Sequence, residues 1–216
     1  QQANLDLVQK LSTLPIWLKI GLRSFIRDGK PFIEAIKAIN PDFKIFLDLK
    51  LYDIPNTMAD AAESIMELDI DMFNVHASAG KTAMQTVMQR LSHYPRRPLV
   101  LAVTALTSFD EAQFQAVYEK PILEKATQWA QDAYDSALDG VVCSVFESDA
   151  IKTQTHNSFL TLTPGIRPFG EEAGDQMRVA TLDTARQNRV DFVVVGRPIY
   201  ESSDPLSVVE RILREI

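Results

Sequence analysis

The chain has 216 residues, of which 46% are hydrophobic and 24% are charged, so it is long and apolar enough for one domain with a large core. The formal net charge of -7 argues against nucleic acid or an acidic membrane surface as a partner, although a local basic pocket can still bind a small anion. The single cysteine, Cys143, lies in an apolar run, so we expect a buried thiol and no internal disulfide. With no signal-like start and no apolar run long enough to span a bilayer, the sequence predicts a soluble, cytoplasmic protein.

Strands and helices alternate along the chain. Residues 1–14 carry leucine and valine at helical spacing, so the chain opens on a helix. Seven apolar strands are predicted, at 16–21, 44–50, 71–77, 98–106, 140–144, 159–163 and 191–196. The later helices are predicted through Phe32 to Ile39, at 56–68, at 81–91, over 109–138 with a break at Pro121, at 147–155 and at 205–216, which makes eight helical segments in all.

This alternation predicts an α/β fold in which helices cover a parallel sheet, formed as one domain over residues 1–216. We expect a (β/α)8 TIM barrel whose first strand is absent from the given chain, because every helix except the first follows a strand. About ten residues suffice for that upstream strand and its loop. The alternative is an open doubly wound sheet, which the regular alternation and the lack of a Gly-x-Gly-x-x-Gly sequence after any strand disfavour.

The strand that begins at Lys44 ends in charged residues, which is unusual because the rest of it is apolar. Alternate side chains share one face of a strand, so Asp48 and Lys50 point the same way, and Asp53 follows in a loop. Pro55 then suits the start of a helix. Two explanations fit this pattern: a structural ion pair and a catalytic array of charges.

Polar residues also follow the other predicted strands, at the ends where barrel enzymes place their active sites. They are Lys19, His76, Thr107, Ser108, the turn 163–167 and the pair Gly196-Arg197. Backbone N–H groups after the last strands of a barrel often bind phosphate, and an arginine can hold two phosphate oxygens, so Gly196 and Arg197 predict a phosphate site. Gln176 belongs to the loop 168–176, which we expect to close over the same group as a lid.

Several motifs resemble those of bacterial orotidine 5'-monophosphate decarboxylases. They are the sequence Asp-x-Lys-x-x-Asp-Ile-Pro-x-Thr from Asp48 to Thr57, Ala105-Leu-Thr-Ser108, Thr161-Leu-Thr-Pro-Gly-Ile-Arg-Pro168, Gly174-Asp-Gln176 and Val193-Val-Val-Gly-Arg-Pro198. The resemblance implies that Lys50 is the catalytic lysine, in an array with Lys19, Asp48 and Asp53. The substrate-contacting positions that it implies are Ile54, Thr57, Thr107, Arg167, Gln176, Gly196 and Arg197. A homodimer with shared sites is also implied, because the family's residues at the positions of Asp53, Ile54 and Thr57 reach into the neighbouring subunit.

The reaction implied by the resemblance is conversion of orotidine 5'-monophosphate to UMP, with loss of CO2 from C6 of the orotate ring and with no cofactor or metal. Lys50 is expected to stabilise the carbanion and then protonate it. One departure from the family is that no residue here matches the aspartate that ends its first strand and contacts the ribose. Two alternatives remain open, namely a magnesium-dependent barrel decarboxylase for a keto-sugar phosphate and a non-catalytic nucleotide-binding barrel. The histidines, His76, His93 and His156, lack metal-ligand spacing.

Overall fold

The computed structural model describes residues 1–170 and 177–216. Its centre is one sheet of seven parallel strands that follow one another in chain order, which confirms the predicted strand number and direction. The strands are β1 Trp17–Gly21, β2 Lys44–Leu51, β3 Met72–His76, β4 Leu99–Val103, β5 Gly140–Val142, β6 Leu160–Thr163 and β7 Phe192–Val193. Because neighbouring strands in the sheet are neighbours in the chain, the sheet has no reversal of strand order and the doubly wound alternative is wrong.

The described residues form ten α-helices and one 3-10 turn, where the sequence predicted eight helical segments. The helices are α1 Gln2–Lys10, α2 Leu22–Ile39, α3 Pro55–Ile65, α4 Lys81–Leu91, α5 Glu111–Tyr118, α6 Ile122–Asp135, α7 Val145–Gln154, α8 Leu182–Gln187, α9 Arg197–Tyr200 and α10 Pro205–Glu215, and the turn is Ala77–Ala79. Pro121 separates α5 from α6, as predicted. The two helices that were not predicted, α8 and α9, have six and four residues, which is too short to show a helical period.

Strand β2 shows how the sheet separates its two faces. Ile45 and Leu47 are fully buried in the larger apolar core, between the sheet and the helices, whereas Phe46 belongs to a second cluster inside the curled sheet. Side chains alternate along a strand, so Asp48 shares the face of Phe46, and Leu49 packs against the same core as Ile45 and Leu47. The predicted alternation is confirmed up to Leu49 and directs Asp48 to the inside of the sheet. The strand is irregular at Lys50, so alternation alone does not set the direction of that side chain.

The end strands β1 and β7 approach each other because the sheet curls. The ring centroids of Trp17 and Phe192 are 5.3 Å apart, with the rings nearly perpendicular. Beside them lies an apolar cleft of about 460 Å³, between the start of β1 and residues of β7, α8 and α10. The strand that we expect upstream of β1 stays a prediction.

Three aspartates make the same contact at the amino ends of the strands. Asp71, Asp139 and Asp191 stand directly before β3, β5 and β7. Each accepts a hydrogen bond from a backbone N–H near the start of the preceding strand, at Ile45 (2.9 Å), Val100 (2.7 Å) and Thr161 (2.8 Å) respectively. Each also pairs with a cation, which is Lys44 (2.8 Å), Arg97 (2.6 Å) and Lys152 (2.7 Å) respectively. We call these three contacts the rim clips, and they join β2 to β3, β4 to β5 and β6 to β7.

Candidate active site

A cavity of about 470 Å³ opens at the carboxyl ends of the strands, and its volume is in the range of small-molecule sites. Seven of the predicted site residues line it: Lys19, Asp48, Lys50, Thr107, Arg167, Gly196 and Arg197. Apolar side chains of the strands, including Phe46, Val103, Val142 and Leu162, line the rest of the wall. The fold therefore brings most of the predicted site together at the end of the sheet where the sequence placed it.

Within this cavity, Asp48 lies between two lysines. Its Oδ1 is 2.5 Å from Lys50 Nζ and its Oδ2 is 3.2 Å from Lys19 Nζ. The Asp48 side chain is 14% exposed, whereas the Lys19 and Lys50 side chains are 36% and 32% exposed. The Lys19–Asp48–Lys50 array thus presents two ammonium groups to the cavity around one mostly buried carboxylate.

The surroundings of Asp48 keep its carboxylate ionised. Burial opposes the charge, but the charges of Lys19 and Lys50 and the hydrogen bonds from Lys50 and Asn74 outweigh this effect, so the pKa of Asp48 lies below its usual value. A lowered carboxyl pKa stabilises the fold above the usual pKa, and that contribution is lost as the pH falls through the lowered pKa. At neutral pH the array therefore carries one negative charge between two ammonium groups.

Asn74 of β3 also contacts the array, although the sequence pattern did not identify it. Its side chain is fully buried, its Nδ2 donates to Asp48 Oδ1 at 2.8 Å, and its Oδ1 accepts the backbone N–H of Lys50 at 2.7 Å. The available signal was a polar residue within the apolar strand Met72–His76, next to the strand of Asp48. A buried carboxamide needs hydrogen-bond partners, so its position alone pointed to a polar neighbour.

Among the predicted site residues that the structure describes, Asp53, Ile54 and Thr57 do not line the cavity of their own chain. All three are exposed, and Ile54 is 67% exposed. Asp53 Oδ1 accepts the backbone N–H of Ile54 at 2.7 Å, immediately before α3. The segment that follows β2 is therefore exposed and does not line the cavity that β2 helps to form.

The loops after β4, β6 and β7 supply the other side of the cavity. Thr107 and Arg167 are buried there, and Arg167 Nη1 donates to the carbonyl oxygen of Ile166 at 3.0 Å. Gly196 and Arg197 lie where β7 leads into α9 and complete the predicted phosphate end. Gln176 lies outside the described residues, so its predicted contact and the predicted lid stay predictions.

A model of the orotidine 5'-phosphate decarboxylase / HUMPS family matches residues 1–212. The chain belongs to this family. It is 67% identical over 213 residues to the orotidine 5'-phosphate decarboxylase of Sulfurovum sp. (strain NBC37-1), with 99% of this chain and 93% of the relative covered. Its identity to the orotidine 5'-phosphate decarboxylase of Sulfurimonas denitrificans is 63% over 216 residues, with 100% of this chain and 95% of the relative covered.

The fold of this family member is also that of solved relatives. The crystal structure of orotidine 5'-phosphate decarboxylase from Lactobacillus acidophilus is 32% identical, with a TM-score of 0.81 over 97% of this chain and 92% of that chain. This similarity confirms the predicted α/β, TIM-barrel-like architecture.

In this member of the family, His76 packs beside the array but does not line the cavity. Its ring contacts those of Tyr52 and Trp129, with centroids 5.8 and 6.3 Å apart. The backbone N–H of Ser78 donates to His76 Nδ1 at 3.3 Å, which assigns the proton of the neutral ring to Nε2. Burial, and then the charge of Lys50, lowers the pKa of His76 below its usual value.

Cys143 is buried in the cavity wall, as the sequence predicted for a core thiol. Burial, and then the nearby charge of Glu147, raises its pKa well above the usual value, so it is a poor nucleophile. Over residues 1–170 and 177–216, no group of three histidine, cysteine or acidic side chains is arranged to hold a metal ion. None of the helices in these ranges is long and apolar enough to cross a membrane.

Proposed function

We propose that this chain decarboxylates orotidine 5'-phosphate to UMP in pyrimidine biosynthesis. The observation that carries the proposal is the Lys19–Asp48–Lys50 array in the wall of a nucleotide-sized cavity. The names of its relatives point to the same reaction. A structural ion pair, the other reading of the sequence, does not require both ammonium groups to face a cavity.

In the proposed reaction, the bond between C6 and the carboxylate carbon breaks and its electron pair stays on C6. The Lys50 ammonium stabilises this developing negative charge and then donates a proton to C6, while the carboxylate leaves as CO2. Asp48 holds the ammonium in place and places its own negative charge near the substrate carboxylate, which disfavours the bound ground state. Lys19 fixes the second oxygen of Asp48. The chain's own charged groups supply the electrostatics, so we propose no cofactor.

The substrate phosphate is proposed to bind at the other end of the cavity, at Gly196 and Arg197. An arginine fork can donate two hydrogen bonds to phosphate, and Arg197 lines the cavity at the end of β7. Thr107 and Arg167 are proposed to contact the nucleotide between the two ends, because both are buried in the same wall. Gln176 is proposed to reach the phosphate from the predicted lid.

We further propose a homodimer in which Asp53, Ile54 and Thr57 complete the site of the neighbouring subunit. The support is that these residues follow directly after the strand of Lys50, yet they are exposed and do not line their own cavity. An exposed isoleucine and a carboxylate at the start of one helix are suited to an isologous contact with the same segment of a second copy.

Formation of UMP from orotidine 5'-phosphate by the purified protein tests the proposed reaction. Lys50→Ala should abolish turnover but retain UMP binding, because the lysine acts mainly on charge that exists only in the transition state. Lys30→Ala, at an exposed lysine of α2, is the matched control and should keep full activity. Turnover by Lys50→Ala near the unmodified rate would show that the catalytic group lies elsewhere.

The same assay separates the proposal from its alternatives. A keto-sugar phosphate decarboxylase that uses magnesium would lose activity with a chelator and would not form UMP. A non-catalytic nucleotide-binding barrel would bind UMP without any turnover. UMP formation that a chelator does not reduce is the result we expect.

A further inference from the structure

The strand that carries Lys50 is irregular where it passes β3. Phe46 and Leu47 pair with Met72 and Phe73, but the next paired residues are Leu51 and Val75, so β2 uses two more residues than β3 over this stretch. Such a bulge bends a strand and changes the direction of its side chains, and bulges are frequent next to active sites. Asp48 and Lys50 both lie within it.

Lys50 itself has a backbone conformation that is uncommon for a lysine. Its φ is 54°, in the left-handed region that favours glycine. This conformation is unfavourable for a residue with a Cβ, and it persists only where the surroundings hold the residue in place. The backbone N–H of Lys50 also lacks a regular partner in the ladder, because the register shifts at this point.

Asn74 provides the missing contact, since it lies on β3 between the paired residues Phe73 and Val75. One carboxamide holds both parts of the bulge: its oxygen binds the backbone N–H of Lys50 at 2.7 Å, and its nitrogen binds Asp48 Oδ1 at 2.8 Å. The same Oδ1 also contacts Lys50 Nζ. Asn74 does not line the cavity, so a substrate would not touch it.

We propose that Asn74 is a positioning residue that sets the direction of Lys50 Nζ by fixing the left-handed backbone at Lys50 and the orientation of the Asp48 carboxylate. This proposal rests on the proposed decarboxylation, in which Lys50 must meet C6. A displacement of about 1 Å at a reacting group can cost about 100-fold in rate, so a residue that never touches the substrate can still limit turnover.

Two substitutions separate the two hydrogen bonds. Asn74→Asp keeps an acceptor for the Lys50 N–H but replaces the donor to Asp48 with a carboxylate, and Asn74→Ala removes both groups. Thr104→Val is the matched control, because Thr104 is buried directly after β4, its hydroxyl donates to the carbonyl oxygen of Val142 at 3.1 Å, and it does not line the cavity. It should keep the unmodified kcat even if it lowers stability.

For Asn74→Ala we expect kcat to fall by about 100-fold with little change in KM or in the Kd for UMP. For Asn74→Asp we expect a similar loss at neutral pH and partial recovery as the pH falls, because the protonated carboxyl group can again donate to Asp48. The charged and titratable groups facing this pair are Lys19, Lys50 and His76, and none of them is altered in the variant. A purely structural role for Asn74 does not predict recovery at low pH.

Unchanged kcat in both variants overturns the proposal, and so does an equal loss of kcat and UMP binding, which indicates general damage to the fold. If neither variant folds, the scalar coupling between Lys50 N and Asn74 Cγ in the unmodified protein decides, since it is present only if this hydrogen bond exists. An unmodified protein that forms no UMP refutes the proposed function instead. In that case, the backbone angle of residue 50 in crystals of Asn74→Ala still tests the positioning role, and a φ that stays near 54° contradicts it.

Discussion

Lys50 lines the central cavity, whereas Asp53, three residues further along the chain, is exposed and lies outside it. If Asp53 acts in the site of a second subunit, two inactive variants can restore one another. We expect Lys50→Ala and Asp53→Ala, each inactive alone, to regain activity when mixed under conditions of subunit exchange. Random pairing makes about a quarter of the sites complete, so about a quarter of the unmodified activity should return in a UMP formation assay.

A mixture of Lys50→Ala with Asp48→Ala is the matched control for this experiment. Lys50 and Asp48 contact each other within one chain, so no hybrid dimer of these variants contains a complete site. The control mixture should stay inactive. Absence of recovery in the first mixture, with exchange demonstrated independently, means that Asp53 does not act across an interface.

Arg197 is expected to contribute to turnover although the phosphate is remote from the bond that breaks. Binding energy from a remote group can order the reacting centre, so Arg197→Ala should cost about 2 to 5 kcal/mol in kcat/KM for the phosphorylated substrate. The corresponding nucleoside should be nearly unaffected. Arg214→Ala, at an exposed arginine of α10, is the control and should change neither value. Equal slowing of both substrates by Arg197→Ala would place its role in the fold or at the reacting centre.

His76 should report the charge of Lys50. Burial and the Lys50 ammonium lower its pKa, so removing that charge in Lys50→Ala should raise the pKa of His76 while burial still acts on it. NMR titration of the His76 ring in the unmodified protein and in Lys50→Ala measures this change. An unchanged His76 titration would mean that Lys50 does not act on the ring.

The lowered pKa of His76 also has a defined effect on stability. Above about pH 6.5 the ring is neutral in both the folded and the unfolded chain, so it adds no pH dependence. As the pH falls below that value the unfolded chain binds the proton more readily, and the free energy of unfolding should decrease until the folded pKa is passed. Replacement of His76 by asparagine should remove this component from urea unfolding curves measured across the same pH range.

Asp139 should matter for stability and not for catalysis, because its rim clip lies at the end of the sheet opposite the cavity. Asp139→Asn weakens the contacts to the Val100 N–H and to Arg97, so we expect a loss of about 1 to 3 kcal/mol in the free energy of unfolding, with kcat unchanged. Asp135→Asn breaks an exposed ion pair with Lys81 and should cost clearly less, because solvent screens that pair. Urea unfolding of both variants compares them directly, and equal losses would show that the clip adds nothing beyond a surface pair.

The sequence predicted the order and number of strands because apolar runs and their flanking turns are local properties. It also predicted that Asp48 and Lys50 point the same way, since a strand alternates with a period of two, and both line the cavity. The short helices α8 and α9 were not predicted, because six and four residues carry too little periodic signal. Residue 176 lies outside the described part of the chain, so the prediction for Gln176 is unchanged.

The segment of Asn74 indicates that this residue needs a polar partner, but it does not indicate which one. Its two partners lie on β2, and they reach it only because the register shifts between Leu47 and Leu51. A bulge depends on pairing between strands that are distant in sequence, and a single-strand pattern does not encode it. The exposure of Asp53 agrees with the resemblance, which implied that this residue reaches a neighbouring subunit, but residue spacing alone did not show it, because Lys50 and Asp53 are only three residues apart.

Each rim clip joins one pair of adjacent strands, so the three clips define three strand pairs along the chain. In the described residues the rim clips join β2 to β3, β4 to β5 and β6 to β7. Each rim clip combines a hydrogen bond to a backbone N–H with an ion pair. The segment 92–96, before β4, lies in the chain between the residues of the Asp71 rim clip and those of the Asp139 and Asp191 rim clips. A chain cut there gives one fragment with three strands and another with four, and every aspartate keeps its own cation and its own amide. A cut in this segment therefore leaves all three rim clips intact within the two fragments, so we expect the amino-terminal ends of the strands to tolerate it.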